Sequence, residues 1–287
     1  MIAWLRRRLG GGGAAAAVDS AGMLPAAAMR FATWAARVAP TPDAAIDQLL
    51  AGGRPPGEAM AGDLAAWVGE QARARHGGEW AEEGDFGLVL RGCGDVAAAR
   101  LHVAAVAERK LERGPAFSLA AFLDTLGPRL EAERTRENTP GPDPAALMAM
   151  LHTGDPNDAA RAIAEQFRAY WRRRHPVALP LTLTGVRELD GFLRSHYLLS
   201  TLDAGRLAEA GFFLGEVTRG LFGGVWVADG AAEPADVALR WPELDYFPVG
   251  RVFRMMLARP AGEPLDEYVR LVPSARAELR KAAPPGG

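Results

Sequence analysis

The residues best suited to chemistry fall into one pattern that occurs twice. Residues 68–80 read Val-Gly-Glu-Gln-Ala-Arg-Ala-Arg-His-Gly-Gly-Glu-Trp, and residues 214–226 read Leu-Gly-Glu-Val-Thr-Arg-Gly-Leu-Phe-Gly-Gly-Val-Trp. Both fit G-E-x-x-R-x-x-x-G-G-x-W, at an offset of 146 residues. Glu70 and Arg73, like Glu216 and Arg219, stand three apart, which makes them neighbours on a helix surface. A carboxylate so placed can act as general acid or base while the guanidinium orients an anionic substrate. The same spacing also gives an ordinary intrahelical ion pair, worth a few tenths of a kcal/mol. Gly69 and Gly215 fall inside the expected helix, where glycine costs about 1 kcal/mol relative to alanine. Their presence implies close helix packing, or the close approach of another backbone or a ligand. Trp80 and Trp226 read as core anchors of a hairpin whose indole N–H needs a partner. The candidate binding residues are thus Gly215, Glu216, Arg219 and Trp226, with Glu70, Arg73 and Trp80 in the first copy.

Other constellations are weaker. The Gly-Gly pairs follow a helix and precede a strand, the reverse of a phosphate-cradling loop. Leu9–Gly13 lacks the Lys-Ser/Thr end of a P-loop. His76, His102, His152, His175 and His196 show neither H-x-x-x-H nor H-E-x-x-H spacing, so neither a metal site nor a cofactor is expected. Cys93 is the only cysteine and has no nearby histidine; a buried or turn cysteine is the expectation. Arg6-Arg7-Arg8 and Arg172-Arg173-Arg174-His175 are short basic clusters without the aromatic interleaving of an RNA-binding sheet, so nucleic acid is not the expected partner.

The second copy shows best which elements must position these groups. Leu207, Ala210, Leu214, Val217 and Leu221 recur at steps of three and four, which predicts a helix over 205–222. Gly223-Gly224 ends it. Val225-Trp226-Val227 starts a strand, and Asp236–Arg240 returns as its partner. Pro248 opens a second helix through Val249, Val252, Phe253 and Met256, and Pro264 opens a third through Leu265, Tyr268, Val269 and Val272. In the first copy Leu119, Phe122, Leu123 and Leu126 keep the third helix.

The offset reads on without a gap, placing Leu101 on Phe247, Val103 on Val249, Val106 on Val252, Leu119 on Leu265 and Phe122 on Tyr268. Upstream, Ile46-Asp47 matches Leu189-Asp190, and Phe31, Arg37 and Pro40 match Phe167, Arg173 and Pro176. The fold class is therefore α+β. Two homologous repeats, 29–135 and 165–282, each consist of helices plus a β-hairpin followed by two helices. Residues 1–28 read as a flexible tail, 136–164 as a linker rich in helix breakers, and 283–287 as a second tail. A hairpin is marginal alone, so a pseudo-twofold pair sharing one sheet is the expected assembly.

Composition bounds the function. The chain has 287 residues, 33 Lys+Arg against 35 Asp+Glu, and a net charge of −2, which excludes a global basic field for nucleic acid. Only Lys110 and Lys281 are lysines, a bias that together with abundant Ala, Gly and Pro suggests a GC-rich bacterial genome. Residues 1–9, with Trp4, Leu5 and Leu9 beside three arginines, could make a weak membrane-surface contact. No apolar run reaches the length of a bilayer span, and the cytoplasm is the default location.

The motif Leu214-Gly-Glu…Arg219…Gly-Gly-Val-Trp226, followed by Tyr246-Phe-Pro-Val249 and Pro264-Leu-Asp-Glu-Tyr268, resembles an uncharacterised bacterial domain, here in tandem duplication. The resemblance covers most of 205–272 and, more weakly, 61–127. It implies bacterial origin and no specific activity. The expected function is a non-enzymatic protein-binding or regulatory adaptor, of which an immunity-like, toxin-neutralising protein is one form. The alternative is an enzyme with a site between the repeats that uses Glu216 and Arg219.

Overall fold

A computed structural model describes residues 14–53, 57–82, 88–136, 139–258 and 263–282. The chain divides into two compact units. The first is residues 1–138 together with Leu198–Thr201; the second is residues 139–197 and 202–287. The architecture is α+β, with much helix and two small antiparallel sheets.

In the first unit, α1 (Ala14–Val38), α2 (Pro42–Ala51) and α3 (Glu58–His76) precede β1 (Glu79–Glu82), β2 (Leu88–Arg91) and β3 (Arg100–Leu101). Helices α4 (Val103–Arg113) and α5 (Leu119–Arg134) follow. The 1–28 tail reading needs correction from Ala14 onward. The alanines at 14–17 and 26–28 are the best helix formers, and Leu24 and Ala28 are buried against Ala66 and Leu88. Phe31 packs on Trp67 with ring centroids 5.5 Å apart, which ties α1 to α3. Helix α5 runs through Pro128, with Leu119, Phe122, Leu123 and Leu126 buried as their spacing requires. Residues 1–9, and with them the membrane-contact reading, lie outside the described residues, as does the 283–287 tail.

The second unit begins with α6 (Pro144–Thr153) and α7 (Pro156–Arg174). Most of the 136–164 segment is therefore helical rather than linker. The end of the breaker-rich stretch 137–144 is a start signal: Asp143-Pro144, like Asp155-Pro156 further on, pairs an N-cap carboxylate with proline in the first turn. After α8 (Leu183–His196), Leu199–Ser200 forms β4. Then come α9 (Ala204–Phe222), β5 (Val225–Val227), β6 (Ala238–Trp241), β7 (Leu244–Tyr246), α10 (Pro248–Ala258), α11 (Leu265–Arg270) and α12 (Val272–Ala282). Helix α9 is the axis of this unit: every residue from Gly205 to Thr218 is buried. Gly211 lets α10 come close, since a Cβ there would lie 2.4 Å from the Val249 Cα. Phe167 of α7 packs on Phe213 of α9 at 6.2 Å.

The sheets depart from the expected assembly. Strands β5, β6 and β7 form a sheet of their own, and the other sheet runs β1-β2-β3-β4, so the two hairpins do not share one. The hairpin of 225–240 gains a third strand, β7. The gapless offset also fails inside the sheets. Leu90 lies opposite Trp80, but Leu239 lies opposite Trp226, three residues further along the chain. Leu101 pairs with Leu90 where Tyr246, not Phe247, pairs with Leu239. A connection three residues longer before β6 and one four residues shorter after it account for the two shifts.

Candidate functional site

Each copy of the motif folds into the same local device. In the second unit, Nε and Nη2 of Arg219 donate to the two oxygens of Glu216 at 2.7 and 2.8 Å. The Trp226 indole Nε1 donates to Glu216 Oε1 at 2.8 Å. In the first unit Arg73 and the Trp80 indole meet Glu70 in the same way, with the indole bond again 2.8 Å. Glycine is required beneath the indole: a Cβ on Gly215 would lie 2.2 Å from the Trp226 ring, and one on Gly69 2.0 Å from the Trp80 ring. The helix then ends on a left-handed glycine, Gly77 (φ 68°) or Gly223 (φ 71°), whose N–H donates to the carbonyl of the motif arginine. Together the fixed positions of G-E-x-x-R-x-x-x-G-G-x-W fasten a helix end to the strand that follows it.

The two fasteners differ in depth. The Glu216 and Arg219 side chains are 5% and 22% exposed, those of Glu70 and Arg73 18% and 47%. The outer pair belongs to the class of exposed ion pairs that contribute at most about 1 kcal/mol. The hydrogen bond from Arg73, aided by that from Trp80, outweighs partial burial and holds the Glu70 carboxyl below its ordinary range. The second fastener is further braced from α7. Asn157 Oδ1 accepts from the Trp226 backbone N–H at 3.0 Å, and Arg161 approaches Glu216 at 3.9 Å. The Asn157 contact occupies the outward N–H of β5 and so blocks that sheet edge.

No family model, curated protein or solved structure matches this chain. Its chemistry must be built from its own residues. Cys93 sits buried in a tight turn after β2, and burial pushes its thiol up to about 11, away from thiolate chemistry. Among the described residues no group of His, Cys, Asp and Glu is arranged to hold a metal ion.

Two buried charged clusters have no counterpart in the motif. Lys110, 1% exposed, donates to Asp47 at 2.8 Å and to the Gly114 carbonyl at 3.0 Å, and pairs with Asp43 at 3.0 Å. Burial would raise the Asp43 carboxyl, but the Leu119 and Ala120 amides and Lys110 together hold it below its usual range. One sequence signal pointed there: a lysine in the middle of a chain that otherwise uses arginine almost throughout. In the second unit, Arg206 donates to Glu209 at 2.6 Å and lies 4.4 Å above the Tyr170 ring. Burial pushes the Glu209 carboxyl up despite that partner. No spacing signal distinguished this pair from a surface i, i+3 pair; only burial does.

Proposed function

We propose that the chain is a non-catalytic adaptor that binds another protein, and that its repeats, 29–135 and 165–282, descend from one duplicated domain. The observation that carries the adaptor reading is a difference in surface around two otherwise matching fasteners. Two residues before the capping glycine and one residue after the Gly-Gly pair, the first unit carries Arg75 and Glu79, both exposed. Arg75 is ion-paired with Asp124 at 2.9 Å. At the same places the second unit exposes Leu221 (47%) and Val225 (53%). Val225 also lines an open groove of about 560 Å³ whose other walls include Arg240, Trp241, Pro242 and Leu244. Apolar residues beside a groove rimmed by charge suit a polypeptide partner.

The acid–base alternative draws less support. Both oxygens of Glu216 are already engaged by Arg219, and Oε1 also takes the Trp226 indole. The duplication reading is supported by the same donor atoms meeting the same acceptor at two places in the chain.

The test gives the second unit the surface of the first. Leu221→Arg with Val225→Glu should leave stability within about 0.5 kcal/mol, as for surface changes that touch no special feature. Affinity capture from native lysate should return a stoichiometric partner with the wild-type chain and lose it with the double variant. No stoichiometric partner, or one indifferent to the substitutions, would count against the adaptor.

A further inference from the structure

The compact unit that holds residues 1–138 also holds Leu198–Thr201, while the helices on either side of that segment, α8 and α9, lie in the other unit. Leu199 and Ser200 pair with Leu101 and Arg100, and the His102 N–H donates to the Leu198 carbonyl at 3.0 Å. Alternation along an antiparallel ladder then makes Leu101 and Leu199 a close, non-hydrogen-bonded pair, with Cα atoms about 4.5 Å apart. From Leu198 to Leu202 no residue is more than 7% exposed. Exposing a buried leucine costs about 1.5–3 kcal/mol, and Leu198 and Leu199 both lie in the segment that joins the first unit, so the segment is held to a β3 edge. Backbone pairing does not distinguish an edge in the same molecule from one in a neighbour.

We propose that the β3 edge is an acceptor for an exchangeable strand, and that a second copy of this chain donates its own Leu198–Thr201 to it, giving a twofold strand-exchanged dimer. Such an exchange conserves every contact of the ladder. The balance between one copy and two then rests on concentration and on the segment joining α5 to α6, which sets the effective concentration of the internal strand.

The experiment uses the full chain with Leu101→Cys and Leu199→Cys, and with Cys93→Ala to remove the native thiol. The spacing of a non-hydrogen-bonded pair suits a disulfide. Unlabelled and heavy-nitrogen chains are mixed in equal amounts, oxidised over a series of protein concentrations, digested and weighed. The mixed-isotope cross-linked peptide is expected to appear and to grow with concentration, alongside a species of dimer mass. Same-isotope cross-links alone, at every concentration, overturn the proposal. A second measurement leaves the leucines intact. Sedimentation of the wild-type chain should show a concentration-dependent dimer that a synthetic peptide spanning residues 196–203 shifts toward monomer. A wild-type chain that stays monomeric throughout, or a dimer indifferent to the peptide, overturns it equally.

Discussion

A methyl group added at Gly215 or Gly69 would collide with an indole at nearly the same distance, yet the consequences should differ. Trp226 is 2% exposed, braced by Asn157 and pressed by Pro248, which would itself lie 2.9 Å from the new carbon. Trp80 is only partly buried, so solvent rather than packed protein borders part of its side chain. Overpacking costs about 1–3 kcal/mol, against about 1 kcal/mol recovered from helix propensity. Gly215→Ala is expected to destabilise by about 1–2 kcal/mol and Gly69→Ala to be near neutral, measured as shifts in the urea midpoint; equal losses would contradict the difference in bracing. A second residue-scale prediction concerns His102. Burial, aided by the Arg100 charge, pushes its imidazole down to about 4 from an ordinary 6.5. Between those values the unfolded chain binds more protons than the folded one, so this contribution is complete above pH 6.5 and is lost as pH falls toward 4, by up to about 3 kcal/mol. Glu209, whose carboxyl is pushed up, acts in the opposite sense. The quantity to measure is therefore the difference in stability between wild type and His102→Asn, which should narrow as pH falls through this window. A constant difference would remove His102 as the cause.

At the scale of elements, the Lys110 cluster joins α2, α4 and the first turn of α5, because Asp43 accepts from Lys110 and from the Leu119 amide at 2.8 Å. Removing one partner of a buried ion pair costs about 3–5 kcal/mol. Asp43 and Asp47 keep 20% and 26% of their side-chain surface in solvent, so Lys110→Met should fall near the low end, about 3 kcal/mol in urea unfolding. Lys110→Arg should not rescue it, since a planar fork does not replace a point donor. The elements also show what was legible in the sequence. Helix α9, its Gly-Gly end, strand β5 and the start of α10 follow from apolar periodicity and glycine and proline signals within a few residues. The motif residues were legible as a set, and Trp226 as an anchor needing a partner, but Glu216 as that partner required the fold. Strands β4 and β7, two and three residues long, are too short for periodicity to register, and β4 pairs with residues about a hundred positions away. Prolines 144 and 156 signal a helix start or a break according to the aspartate before them, and only the first meaning holds here.

For the whole molecule, the decisive connection is β4, because it makes a compact unit out of two stretches that are distant in sequence. A chain ending at Asn138 retains β1, β2 and β3 but lacks the strand that covers Leu101 and accepts the His102 N–H. Each buried polar group left without a partner costs about 1–3 kcal/mol, and a whole domain is stable by only about 5–15 kcal/mol. An uncovered strand edge is also a template for association. The fragment 1–138 is therefore expected to unfold at lower urea and to elute as associated material in gel filtration. Appending residues 196–203 after Asn138 through a flexible Gly/Ser linker should raise the midpoint and return the fragment to monomer mass. Appending the same residues with Ser200→Pro should do neither, because proline removes a ladder donor without changing the linker or the leucines. If the bare fragment already unfolds at the same midpoint as the extended one, β4 contributes nothing to the first unit, and that unit is a domain bounded by sequence alone.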